Sequence, residues 1–485
     1  MVKSQLLMAI GVALSVVQAG PIDNSNGGNK PTLNNKAICT TSQCVLTASG
    51  ILNDMDPTAD PCQDFNQFAC GGMEEKYDIP FDASSIGPSE LLQKNNECII
   101  RSIVDVSLGK VPKAAPGDAA AQNNIKKLLD FYASCMDETS TLKVGRKPLV
   151  DEVQKIIQSF PASASSANKA NLSKALGRIL KSRFRLSSLF QLVAEPAMDD
   201  PSVKVLAIYE QGLKLDQEDY KSSEIVQMYT DTVAAMFQIV FGEEDVVKRT
   251  QPLTNKDVGK KWMDVAKDVV DFETQLAAIR TPQLDLWDLN KANNPRTTLP
   301  AGLNYTRLIV ASSLPYLTKP DGLLQKTSSK TLQYYFSWFR IQSFGPYLAK
   351  PYREPLGAFD NTLSGISGDA KVERWKVCVP AVNINLGQMV GHYYIQEVFK
   401  ADSRQEVIKI MENVLLSYEK TFPTLSWLDK ITRDGAIKKL KVIVQSIGYS
   451  TESPDVASSA NLDAYYKDYA IDAVDYVGNQ IRFSA

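Results

Sequence analysis

"WMDVAKDVVDFETQLAAI", residues 262–279, decides the fold class. Trp262, Val265, Val269, Phe272, Leu276 and Ile279 recur at 3-4-3-4-3 spacing, which lines them along one stripe of an α-helix. The period returns further on. In "ADSRQEVIK" (401–409) Ser403 and Glu406 make a capping box, and the helix it opens carries Val407, Met411, Val414 and Tyr418 on one face. Ile437, Leu440, Val444 and Ile447 repeat the pattern, with Gly448 as the C-cap. Tyr466, Ala470, Ala473, Val477 and Ile481 carry it almost to Ala485. Strand alternation with hairpin turns is scarce. The expectation is a mostly α protein of many packed helices.

With 485 residues the chain has material for a large core or several domains. Its 53 basic and 55 acidic residues leave a net charge of −2, so no basic excess favours nucleic acid. Small polar stretches at 109–124, 159–170 and 451–461 read as loops between helices, and no internal repeat is present. At the N-terminus Lys3 precedes an apolar run, 6–17, and Val17-Gln18-Ala19 fits a signal-peptidase site, so residues 1–19 read as a secretory signal. A membrane span needs roughly 20 apolar residues, and neither this run nor any later stretch supplies them. Residues 20–38 read as a flexible spacer. The expectation is a secreted protein in an oxidising compartment where cysteines pair. The sequons Asn171-Leu-Ser and Asn304-Tyr-Thr suit the same route as glycosylation sites.

The search for chemistry gives a negative result. A helical zinc site needs two histidines one turn apart, a glutamate base and a third ligand. This sequence has one histidine, His392, inside the aromatic "GQMVGHYYIQEVF", where it reads as a packed helix residue. No C-x-x-C pair offers a thiolate site. "SGISGD" around Ser367 departs from the Gly-x-Ser-x-Gly elbow, because its second glycine directly follows the serine. Neither a Walker A loop nor a dinucleotide fingerprint occurs. The 55 acidic residues leave paired carboxylates open, although most belong to solvated helix faces. No catalytic and no metal-binding residue is assigned.

Four stretches, in order, resemble the neprilysin and endothelin-converting-enzyme family of zinc endopeptidases. They are "CTTSQCVLTASGILNDMDPTADPCQDFNQFACGG" (39–72), "LLDFYASCMD" (128–137), "ERWKVCVPAVNINLGQMVGHYYIQEVF" (373–399) and "WLDKITRDGAIKKLKVIVQSIGY" (427–449). Two departures, Asn66 and Met73 where the family carries aromatic residues, concern local packing. The resemblance implies a multi-helix lid domain of a two-lobed peptidase over residues 39–485, with residues about 39–90 packing on a catalytic lobe absent from this chain. The family's H-E-x-x-H helix and later glutamate would lie beyond Ala485, so no zinc ligand is carried over. Zinc is then a cofactor of the full-length family and of no residue here. Peptide substrates and the missing catalytic half are the implied partners. The alternative is a non-catalytic secreted protein made of the lid alone, binding peptides or a partner protease.

The seven cysteines follow from the same resemblance. Cys39 and Cys44 would close a small loop, and Cys135 and Cys378 would bridge distant helices. Cys98 has no counterpart and reads as a buried free thiol, with an intermolecular bridge as the alternative. Cys62 and Cys70 correspond to cysteines that bridge to the catalytic part. Three fates are open to them: a bond to each other, free thiols, or partners on a longer natural chain.

Overall fold

The computed structural model describes residues 39–159, 189–196, 204–210, 212–243, 255–282, 314–399 and 401–484, with short pieces at 174, 246–248, 253, 285, 296–297 and 308–310. The signal and spacer expected over 1–38, and the sequons at Asn171 and Asn304, lie outside the described residues. The chain separates into two compact units, 1–96 and 97–485.

In the first unit, α1 (Ser42–Asp54) begins where the Thr41 side chain accepts from the Cys44 amide, and α2 (Phe65–Lys76) begins where Asp64 accepts from the Gln67 amide at 2.9 Å. The two helices touch at the Cys-Gly-Gly run. A Cβ on Gly72 would lie 2.5 Å from the carbonyl oxygen of Asn53 and 2.8 Å from that of Met55, both backbone atoms. Only a residue without a side chain permits this approach. Gln67 Nε2 then donates to Asp56 Oδ2 at 3.0 Å beside the crossing. Gly72→Ala is expected to separate α1 from α2 at a cost of about 1–3 kcal/mol. Hydrogen exchange across 42–54 checks it, and unchanged protection of α1 would contradict it.

Helix α3 spans Pro88–Val104. The second unit continues with α4 (Ala119–Met136), α5 (Glu138–Val144), α6 (Lys147–Ser159), α7 (Ser223–Phe241), α8 (Lys260–Ile279), α9 (Leu314–Lys326), α10 (Ser329–Phe344), α11 (Lys350–Leu363), α12 (Arg374–Val398), α13 (Ala401–Thr421), α14 (Lys430–Lys441), α15 (Ser459–Tyr465) and α16 (Tyr476–Ser484). Its apolar residues form two buried clusters. One gathers α6 to α11 around Phe237, Phe272, Tyr335 and Trp338. The other gathers the end of α3, α4, α12, α15 and α16 around Phe131, Val382 and Leu386. The 262–279 stripe is buried in the first cluster, from Trp262 to Leu276, with Ile279 half-buried at its end.

A small sheet accompanies the helices, in the order β1-β2-β4-β3. Strand β1 (Phe190–Pro196) is antiparallel to β2 (Lys204–Glu210), and β2 is parallel to β4 (Leu308–Val310). Strand β3 (Arg296–Thr297) pairs antiparallel with β4. The sequence reading does not foresee it, because "FQLVAEP" and "KVLAIYE" are short apolar runs without a tight hairpin signal between them.

Three local expectations are corrected. Helix α13 starts at Ala401, so Ser403 sits inside its first turn rather than capping it, and Glu406 pairs with Lys409 at 2.8 Å. Helix α14 ends at Lys441, before Val444, although Gly448 does take a left-handed conformation (φ 83°). The C-terminal pattern is broken between Tyr466 and Asp475. There Asn479 Oδ1 accepts from the Asp472 amide at 2.9 Å and Asn479 Nδ2 donates to the Asp472 carbonyl at 2.7 Å. These bonds satisfy the backbone of a turn that a continuous helix would satisfy internally.

Candidate functional site

The lone histidine is committed to the core. His392 is buried on α12, with Nδ1 2.7 Å from the Val456 carbonyl and Nε2 3.0 Å from Gln396 Nε2. A carbonyl only accepts, so Nδ1 carries the proton, and Nε2 accepts from the Gln396 amide. Neither nitrogen is left for a metal. Among the described residues no three His, Cys, Asp or Glu side chains converge as a metal site would require. Ser367 donates to Asp369 on the adjacent turn and makes no bond to His392. The described residues do not fit a zinc centre.

What the second unit does build is a stapled helix crossing. Cys135 on α4 and Cys378 on α12 are joined in a disulfide, both fully buried. Arg374, one turn before Cys378, donates from Nε to the Cys135 carbonyl at 2.8 Å. The same nitrogen lies 2.9 Å from Glu138 Oε1, which Arg353 Nη2 also approaches at 2.9 Å. Burial, and then the neighbouring Arg353 charge, push the Arg374 pKa down, while Glu138 pulls it back. Trp375, next in the Arg-Trp pair, stacks under Arg101 of α3, whose guanidinium carbon is 4.7 Å from the ring centre. The motif thus ties α3, α4, α11 and α12 together.

Helix α12 bends where its core turns. Leu386 is fully buried yet non-helical (φ −122°, ψ 28°). The freed Gln388 amide donates to Tyr466 Oη at 3.3 Å, and Asn385 Nδ2 donates to Ala381 O at 2.8 Å and Gln480 Oε1 at 3.3 Å. Side chains from the C-terminal segments thereby replace helix bonds at the kink.

The remaining cysteines fall elsewhere. In the first unit Cys39 and Cys44 are bonded, while Cys62 and Cys70 are free and exposed. Around them large apolar side chains face solvent: Phe65 is 68% exposed and Phe81 70%. Cys98 is exposed, not buried as expected. On α3 the buried positions are Ile100, Ile103 and Val104, and Cys98 falls outside that face.

A second uncovered surface was not foreseen. Helices α13 and α14 contain no buried residue among those described. Met411, Val414 and Tyr418 lie exposed along one face of α13, and Trp427, Ile431 and Val444 are 77%, 85% and 87% exposed. The helical period of 407–418 places these residues together without naming what covers them.

A model of peptidase family M13 matches residues 61–450. The chain is 26% identical over 481 residues to an endothelin-converting enzyme homolog of Locusta migratoria, covering 92% of this chain and 62% of that protein. It is 26% identical over 471 residues to endothelin-converting enzyme 1 of Mus musculus, covering 92% of this chain and 57% of that one. The chain therefore spans about three-fifths of the length of these relatives. Among solved structures, a Mycobacterium tuberculosis zinc metalloprotease in complex with an inhibitor superposes with a TM-score of 0.68 at 21% identity, over 90% of this chain and 63% of that one. A Lactobacillus rhamnosis PepO structure gives 0.61 at 17% identity, over 88% and 65%.

Proposed function

This chain belongs to peptidase family M13, and from that premise we propose that residues 39–485 form the helical lid of a secreted zinc endopeptidase, the part that decides which peptides reach the reaction. One observation carries the reading: the single histidine of these 485 residues has both ring nitrogens engaged in the core, and on this reading the zinc of such an enzyme takes its ligands from the catalytic lobe. No step of hydrolysis is assigned to any residue here.

The uncovered surfaces support the same reading. In this proposal the segment 39–90, with Phe65, Phe81 and the free Cys62 and Cys70, packs on the catalytic lobe and is bonded to it through those two cysteines. The exposed faces of α13 and α14 pack there too. Residues 1–19 act as the secretory signal, 20–38 as a spacer, and Asn171 and Asn304 carry glycans. Among the described residues no helix is long and apolar enough to cross a membrane. A stand-alone peptide-binding lid is the second reading, and it rests on the second unit having two closed apolar clusters of its own.

The purified chain is expected to hold no stoichiometric zinc and to cleave no peptide. One tightly bound zinc per chain by metal analysis would overturn the assignment. The transcript beyond the Ala485 codon separates the two readings: an in-frame H-E-x-x-H supports the lid of an enzyme, and a stop codon leaves the stand-alone lid.

A further inference from the structure

Glu273 lies on α8 in the middle of the larger apolar cluster, 2% exposed, and among the described residues no lysine, arginine or histidine pairs with it. Its partners are phenols. Tyr220, in the short turn Asp219–Lys221, donates to Glu273 Oε2 at 3.2 Å. Tyr229 on α7 is oriented by two donors: its oxygen accepts from Trp338 Nε1 at 2.7 Å and from Gln342 Nε2 at 2.7 Å, both on α10. A phenol oxygen filled by two donors must send its proton elsewhere, and Glu273 accepts it. Tyr335 of α10 is the third phenol near the carboxyl. The nearest arginines on these elements are committed, Arg280 to Glu210 at 3.6 Å and Arg340 to Glu152 at 2.9 Å.

Two opposed demands meet on this carboxyl. Two phenol donors favour the anion, whereas burial without a countercharge favours the neutral acid. We propose that Glu273 is a proton-operated clamp at the junction of the 219–221 turn with α7, α8 and α10, tightening the unit when it takes up a proton on mild acidification. Burial is the larger influence and raises its pKa from 4.5 to about 7, with the Tyr229 and Tyr220 hydrogen bonds pulling it back. A raised folded-state pKa means that the stabilising contribution is fully present below the unfolded value, 4.5, and is lost as pH rises through about 7. Carboxyls such as Asp137 and Asp429, held low by hydrogen bonds from Ser140 and Thr432, act in the opposite sense and only in more acidic solution.

The test uses the full chain and its Glu273→Gln variant. Comparing urea unfolding between pH 4 and 8 cancels every other titrating group. The wild type's folding constant is expected to fall by roughly 300-fold relative to the variant's across this range, most of it between pH 5 and 7. Parallel pH dependences would overturn the proposal. Because the amide is itself a change in a packed site, the Glu273 carboxyl is also followed directly by ¹³C NMR. A midpoint near neutrality, moving upward in Tyr220→Phe, is expected; a midpoint in the ordinary carboxylate range would overturn the clamp.

Discussion

Replacing Cys135 and Cys378 together by alanine is expected to destabilise the second unit by roughly 5 kcal/mol. The bond closes a sequence separation of 243 residues, and a cross-link of that span removes much conformational freedom from the unfolded chain. It also sits where α4 and α12 pack, with both sulfurs inaccessible to water and the Arg374–Cys135 hydrogen bond alongside. Alanine leaves no buried hydroxyl, so the measurement reports the bond and its sulfur volume alone. Urea unfolding with and without prior reduction is the check. A midpoint for the double variant within error of wild type would show that the crossing holds without its staple.

Glu152→Leu is expected to follow closely, at about 3–5 kcal/mol. Glu152 on α6 and Arg340 on α10 meet at 2.9 Å with side chains only 6% and 4% exposed. Burial already pushes the Arg340 pKa down, and the bond to Glu152 opposes that push. Removing the carboxylate takes the 2.9 Å ion-pair partner from a guanidinium buried in the larger cluster, close over the Phe344 ring. Lys155, another partner of Glu152, is more than half exposed, so its ammonium stays hydrated when the carboxylate is removed. The double variant Glu152→Leu/Arg340→Met removes both charges and is expected to recover most of the loss. A double variant as unstable as the single one would mean that α6 and α10 depend on the ion pair itself.

Helices with buried stripes were legible because period and burial agree. Trp262 to Leu276 is both periodic and enclosed. The 407–418 stripe has the same period but is uncovered, since period reports which residues share a face and not what lies against it. The C-terminal break was hidden because its cause is a side chain, Asn479, bonding back to Asp472 and across to Ser134, a contact over most of the chain. The capping box at Ser403 was a local signal outweighed by the two residues of helix that precede it. At the candidate site, the cysteines and the lone histidine could be named from the sequence. The environment of His392 could not, because Val456 reaches it from a loop 64 residues away. Glu273 gave no signal at all. It occupies one position among polar residues of a helix, and only the packing of Tyr220 and Tyr229 against it makes it unusual.

The parallel pairing of β2 with β4 has a kinetic consequence. Leu206 lies against Leu308, so the ladder joins strands roughly a hundred residues apart, with α7 and α8 in the intervening chain. Closing so long a loop is entropically unfavourable until those helices have docked and shortened it. The α7–α8 pair, built from local contacts, can form early, whereas the β2–β4 ladder must wait for it. The small sheet is thus a late event on the folding route, and its edges stay open to other chains for longest while the protein is being made.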